Sequence, residues 1–227
     1  MVPPLALDID GTLTTSSGRI DPRVFELLPA WDAPVVFATG KSFPYPVALA
    51  HFLGREEHVV AENGGVAHVG GETAILGDPD AARAAIEVFR ERGGDLGWGA
   101  SDTVNRWRET EVAVSIDADE RLLREVVSAA EADLEVVDTG YAYHVKSPTV
   151  SKGRALRRVA DGLGIAPESF VAIGDSENDV STFEVVGESY AVANADAAAR
   201  GGADILLDEA YMDGTAGVLA ALREREE

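Results

Sequence analysis

At 227 residues, with 46% hydrophobic side chains, the chain can bury one large core or a core carrying a smaller lobe. Its 40 acidic residues against 19 basic ones give a formal net charge of −21, a field that repels nucleic acid and anionic lipid and suits a surface solvated in concentrated salt, so a halophilic origin is expected. The absence of cysteine excludes disulfides and thiolate metal sites, and the lack of a membrane-length apolar run or a signal-peptide pattern makes the expected setting cytoplasmic.

Along the chain, short apolar runs alternate with helical patterns, the signature of βα units around a mostly parallel sheet. Strands are expected at Leu5–Ile9, Val35–Thr39, Val59–Ala61, Phe170–Gly174, Tyr190–Ala193 and Asp204–Leu207. Asp21-Pro22 opens a first helix, and Ser151 caps another that ends near Gly164. Two more helices are expected over Asn178–Val186 and Gly214–Arg223. Val66–Leu76, with Gly70-Gly71 at its centre, reads as a β-hairpin beside the core sheet. Between residues 77 and 148 the rhythm changes to helix (Pro79–Arg92), strand (Glu111–Ile116), helix (Glu120–Ala132) and two strands (Leu134–Val137, Tyr141–Val145). The expected division is therefore a core of residues 1–76 and 149–227 with an α/β cap of residues 77–148.

Four short signals fall at expected strand ends or helix starts, where open α/β sheets place their ligands. The first is Asp8-Ile9-Asp10-Gly11-Thr12. Alternation in a strand puts Asp8 and Asp10 on one side, and two hard oxygen donors at that spacing suit Mg²⁺. The second, Thr39-Gly40-Lys41, offers a hydroxyl and free backbone N–H groups to an anion. The third is Lys152, in the first turn of a helix whose dipole favours an anion. The fourth, Gly174-Asp175-Ser176-Glu177-Asn178-Asp179, adds acidic side chains at Asp175 and Asp179. Metal and phosphate sites thus share one sheet edge.

Taken together and in this order, these motifs resemble those of the haloacid dehalogenase superfamily phosphatases. The Glu62-Asn63-Gly64-Gly65 turn and the wording of the fourth motif are most similar to the archaeal-type phosphoglycolate phosphatase branch. The resemblance covers nearly the whole chain. It implies a Rossmann-like core with an inserted C2-type α/β cap, and Mg²⁺-dependent hydrolysis of 2-phosphoglycolate through an aspartyl-phosphate. On that resemblance Asp8 is the nucleophile, and Asp10 is the general acid and base that also meets the metal through its backbone carbonyl. Asp175 and Asp179 complete the metal site, Asp179 directly or through water, while Thr39, Gly40 and Lys152 hold the phosphate. A sugar-phosphate phosphatase or phosphomutase of the same superfamily is the alternative, followed by a non-catalytic regulatory protein. The expected partner is a small phosphorylated metabolite, with neither nucleic acid nor membrane, and the chain is expected to be a monomer or homodimer.

Some residues stay open at this level. Among the 19 basic residues only Lys41, Lys146 and Lys152 are lysines. Lys41 departs from the family pattern, and either adds a second ammonium to the phosphate site or points to solvent. Arg106 and Arg108, flanking Trp107, either meet the carboxylate of a small acid or form a solvated surface. Tyr143, His144 and Lys146 are similar cases, and a histidine within a strand reads as structural.

Overall fold

The computed structural model of the protein describes residues 2–225; Met1 and residues 226–227, at the ends of the expected core segments, lie outside the described residues. In chain order the strands are β1 (Leu5–Leu7), β2 (Val35–Ala38), β3 (His58–Ala61), β4 (Val66–Val69), β5 (Glu72–Ile75), β6 (Val112–Ser115), β7 (Glu135–Asp138), β8 (Ala142–Lys146), β9 (Val171–Gly174), β10 (Glu188–Ala191) and β11 (Ile205–Leu206). The helices are α1 (Val24–Leu27), α2 (Pro44–Phe52), α3 (Pro79–Glu91), α4 (Glu120–Ser128), α5 (Lys152–Leu163), α6 (Val180–Phe183), α7 (Ala197–Gly202) and α8 (Tyr211–Glu224).

Eight strands form one sheet in the order β11-β10-β9-β1-β2-β3-β4-β5. From β11 to β3 every pairing is parallel, whereas β4 and β5 join antiparallel at the edge. The 66–76 hairpin is therefore part of the main sheet. Its turn uses Gly70 and Gly71, both at positive φ.

Alternation in β1 explains how both faces of the sheet are covered. Leu5 and Leu7 face Val24 and Leu28 of the α1 region and Val218, Leu219 and Leu222 of α8. Ala6 faces the opposite layer, where Leu156 and Val159 of α5 and Phe183 of α6 pack. A strand buried on both sides needs no polar alternation, which is why it reads as an uninterrupted apolar run.

A second, antiparallel sheet in the order β6-β8-β7 carries α3 and α4. Its own core includes Ile86, Phe89, Val114, Leu123 and Val145. The fold is thus α/β, with a mostly parallel core sheet and an inserted antiparallel α/β cap.

Several elements differ from expectation for local reasons. β1 stops at Leu7, because the chain turns after Asp8, with Leu13 N–H donating to Ile9 O at 2.9 Å. The first helix shrinks to one turn, since Asp21 accepts from the backbone and side chain of Arg23 and holds an Asx turn ahead of it. α4 ends at Ser128, whose hydroxyl donates to Glu125 O at 3.0 Å. The 178–186 helix is split into a 3-10 turn at Glu177–Asp179 followed by α6. Two helices were not anticipated: α2, whose Pro44 starts the helix but whose Pro46 disguises it, and α7, which is short and Gly-ended.

Candidate active site

Asp8 extends the β1 ladder by one bond, its N–H donating to Ile173 O at 3.0 Å. This places its carboxylate at the carboxyl edge of the central strand, beside the loop after β9. Gly11, at φ +80°, turns the chain away, and a Cβ there would lie 1.9 Å from an Asp175 carboxylate oxygen. Only glycine lets the first and fourth motifs approach so closely.

Lys152 begins α5, which Ser151 caps by accepting from Arg154 N–H at 3.3 Å. The helix lies so near the α6 segment that a Cβ on Gly153 would fall 1.8 Å from Ser181 O. This close approach carries the fully buried Lys152 ammonium to 2.8 Å from Asp8 Oδ1 and 2.7 Å from Asp179 Oδ1. Asp179 Oδ2 accepts from the backbone N–H groups of Asp175 and Ser176 at 3.0 and 3.1 Å. Asp179 is therefore tied down on both oxygens, whereas Asp8 Oδ2 is buried without a partner.

Carboxylate oxygens of Asp8, Asp175 and Asp179 lie within 4.8 Å of one another. Three carboxylates against the single Lys152 ammonium leave an excess of two negative charges if all are ionised, the charge of one divalent cation. The imbalance is visible in their acidity. Burial, and then the charge of Asp179, push the Asp175 carboxyl up to about 7. Burial likewise raises Asp8 well above the usual carboxylate range; Lys152 opposes this, while the neighbouring acids reinforce it. An all-oxygen donor set, an orphaned buried oxygen and this charge deficit fit a hard cation such as Mg²⁺.

Asp10 is not part of that tight cluster. The turn at Ile9–Leu13 swings its side chain to the cavity mouth, half exposed, where Lys41 Nζ lies 3.2 Å from its Oδ2. Lys41 also lies 5.7 and 5.8 Å from the ring centres of Tyr45 and Tyr141. It neither points freely into solvent nor meets the carboxylate cluster. Thr39 is fully buried at the end of β2, and its hydroxyl accepts from Lys41 N–H at 3.1 Å, closing the turn around Gly40.

A cavity of about 410 Å³ is lined by Asp8, Asp10, Gly40, Lys41 and Asp175 from the core and by Arg108 from the cap, while Thr39, Lys152 and Asp179 are buried behind that lining. Of the two open arginines, Arg108 turns inward and Arg106 is exposed. His144 is buried beside the cavity, whereas Lys146 turns away to Glu135 and Val150 O.

Sequence reasoning missed the polar seam joining the two lobes. The fully buried Glu62 accepts from the backbone N–H of Glu109 and Thr110 and from the Thr110 hydroxyl. Asn63 donates to Glu111 at 2.9 Å and accepts from Asn178 at 2.9 Å. Asn194 Nδ2 donates to Gly11 O at 3.1 Å and so braces the first motif. The Glu62–Gly65 turn stood out in the sequence only for its resemblance to the family, and in the structure both Glu62 and Asn63 adopt positive φ there.

Comparison with known proteins agrees with this geometry. The haloacid dehalogenase-like hydrolase family matches residues 5–104 and 101–219. A protein of Halorubrum lacusprofundi named phosphoglycolate phosphatase is 78% identical over 100% of both chains. One of the same name from Natronomonas pharaonis is 56% identical over 94% of this chain and 95% of its own. Both come from halophilic archaea, in keeping with the acidic composition. A crystal structure from Thermoplasma acidophilum shares the fold with a TM-score of 0.84 at 24% identity, covering 98% of this chain and 99% of its own. Matches of this extent mean that the chain belongs to the haloacid dehalogenase-like hydrolases, as a phosphatase.

Proposed function

We propose that the protein is a Mg²⁺-dependent phosphatase that converts 2-phosphoglycolate and water to glycolate and inorganic phosphate through an aspartyl-phosphate on Asp8. The observation that carries this reading is the divided state of Asp8: one carboxylate oxygen is held by Lys152, while the other is buried without a partner at the cavity. The names of the full-length relatives support the choice of substrate.

Asp8, Asp175 and the backbone carbonyl of Asp10 would hold Mg²⁺, with Asp179 bracing the set from behind. When bound, the ion supplies charge neutralisation between the carboxylates and an anionic phosphate. Lys152 orients Asp8 and has N–H capacity left for a phosphoryl oxygen, a role shared with the Thr39 hydroxyl and the Gly40 turn.

In the first half-reaction an Asp8 oxygen bonds to phosphorus as the ester P–O bond breaks, and Asp10 gives a proton to the leaving glycolate oxygen. In the second, Asp10 takes a proton from water as its oxygen attacks phosphorus. The acyl-phosphate P–O bond breaks, releasing phosphate and restoring Asp8. Residues 77–148 act as the cap that excludes bulk water and selects the leaving group.

Phosphate release from 2-phosphoglycolate with Mg²⁺ tests this. Asp8→Asn should lower kcat by at least about 10³-fold, equivalent to about 4 kcal/mol of barrier. Retention of Mg²⁺-dependent turnover by that variant would rule out Asp8 as the nucleophile.

A further inference from the structure

The cavity is lined by two basic side chains that this mechanism does not use, Lys41 and Arg108. Arg108 lies in the cap segment before β6, and its side chain is only 6% exposed. Its Nη1 donates to Gly40 O at 2.9 Å and to Glu111. Glu111, with 0% side-chain exposure, is a hub: its Oε1 also meets His144 Nδ1 at 2.7 Å, and its Oε2 accepts from Asn63 at 2.9 Å. An ionised carboxylate only accepts, so Nδ1 of His144 carries the proton in this contact. Burial alone would raise the Glu111 pKa, yet the charges of His144 and Arg108 and the bonds from His144 and Asn63 pull it down to about 2.

This platform holds the guanidinium by one corner and leaves the remainder unused. Arg108 Nε is buried without a partner, and Nη2 makes no hydrogen bond among the described residues. The Nε–Nη2 edge is the pair of parallel donors that matches a carboxylate. Lys41, the other cavity cation supplied by a flexible side chain, is already paired with Asp10 and partly exposed. Arg108 is anchored on Gly40, next in the chain to Thr39, so an anion paired with its unpartnered Nε and Nη2 would sit near the turn that would hold the phosphate. That proximity favours a short molecule with an anion at each end over a neutral sugar.

Resting on the phosphatase reading, we infer that Arg108 is the residue that determines specificity, accepting the carboxylate of a short phosphorylated hydroxy acid. Glu111 and His144 act on it as positioning residues.

The test compares 2-phosphoglycolate with 2-hydroxyethyl phosphate, in which a neutral CH₂OH replaces the carboxylate. The wild-type kcat/KM ratio between them should be at least about 100-fold, as expected where a buried polar group is left unpaired by the wrong substrate. In Arg108→Gln that ratio should fall to below about fivefold, chiefly through KM, and Arg108→Lys should recover part of it. A wild-type enzyme without preference overturns the inference, as does an Arg108→Gln enzyme that slows on both esters while keeping the ratio. If the Gln variant does not fold, the wild-type ratio and the Lys variant decide on the same terms. Failure of wild-type enzyme to release phosphate from either ester with Mg²⁺ would instead remove the underlying reading of 2-phosphoglycolate as substrate.

Discussion

Asp175 shows how one side chain can link metal binding to pH. Its carboxyl is pushed to about 7 by burial and by Asp179, so below that value a proton occupies an oxygen that a cation needs. Mg²⁺ affinity measured by calorimetry should therefore weaken by about tenfold for each pH unit below about 7. Asp175→Asn should lose affinity and make that dependence less steep without abolishing it, since Asp8 is also raised by burial; constant wild-type affinity between about pH 5.5 and 7 would contradict the assignment. The stability consequence has the same origin. A folded-state pKa raised from 3.8 to about 7 means that this group stabilises the metal-free fold fully below about pH 4 and loses the contribution as pH rises toward 7. Glu111 acts in the opposite sense: its depressed pKa gives stability present above 4.5 and lost as pH falls toward 2.

The start of α5 shows what a single helix end does for the site. Ser151 and Gly153 flank Lys152 but contribute through different physics. Ser151 satisfies one of the free N–H groups of the first turn, and Ser151→Ala should cost about 1 kcal/mol, lowering Tm by about 3 °C with little change in kcat. Gly153 instead permits backbone contact with Ser181, so Gly153→Ala must push α5 away from the Asp179 loop. It should cost about 1–3 kcal/mol and also lower kcat, because Lys152 would no longer reach both carboxylates. Thermal melts with initial rates separate the two; equal kcat losses in both variants would refute this division of roles.

Across the whole molecule, 40 acidic side chains against 19 basic ones make self-repulsion a major destabilising force at low ionic strength. Raising salt from about 0.1 M to 1 M shrinks the Debye length from about 10 Å to about 3 Å. Buried pairs such as Lys152–Asp8 are largely sheltered from this change, whereas the surface excess is not. Tm should therefore rise with KCl over that range, as differential scanning calorimetry would record. A flat or falling Tm would mean that repulsion does not limit stability.

The succession of core strands along the chain, and the placing of Asp8, Thr39 and Asp175 at strand ends and of Lys152 in the first turn of a helix, could be read from the residues alone. Apolar runs, glycine turns and the Ser151 cap each act within a few residues. Asp10 marks the limit of such reading: strand alternation paired it with Asp8, but the Ile9–Leu13 turn carried it to Lys41. Nothing in the local pattern separated Arg106 from Arg108 or identified Glu62, Asn63 and Glu111 as a buried seam. Arg108 meets Gly40 across 68 positions, and Lys152 meets Asp8 across 144. Contacts so distant in the chain exist only after the tertiary structure has formed, Lys152–Asp8 when α5 packs on the core sheet and Arg108–Gly40 when the cap meets the core, because packing determines which polar groups lose water and must find partners.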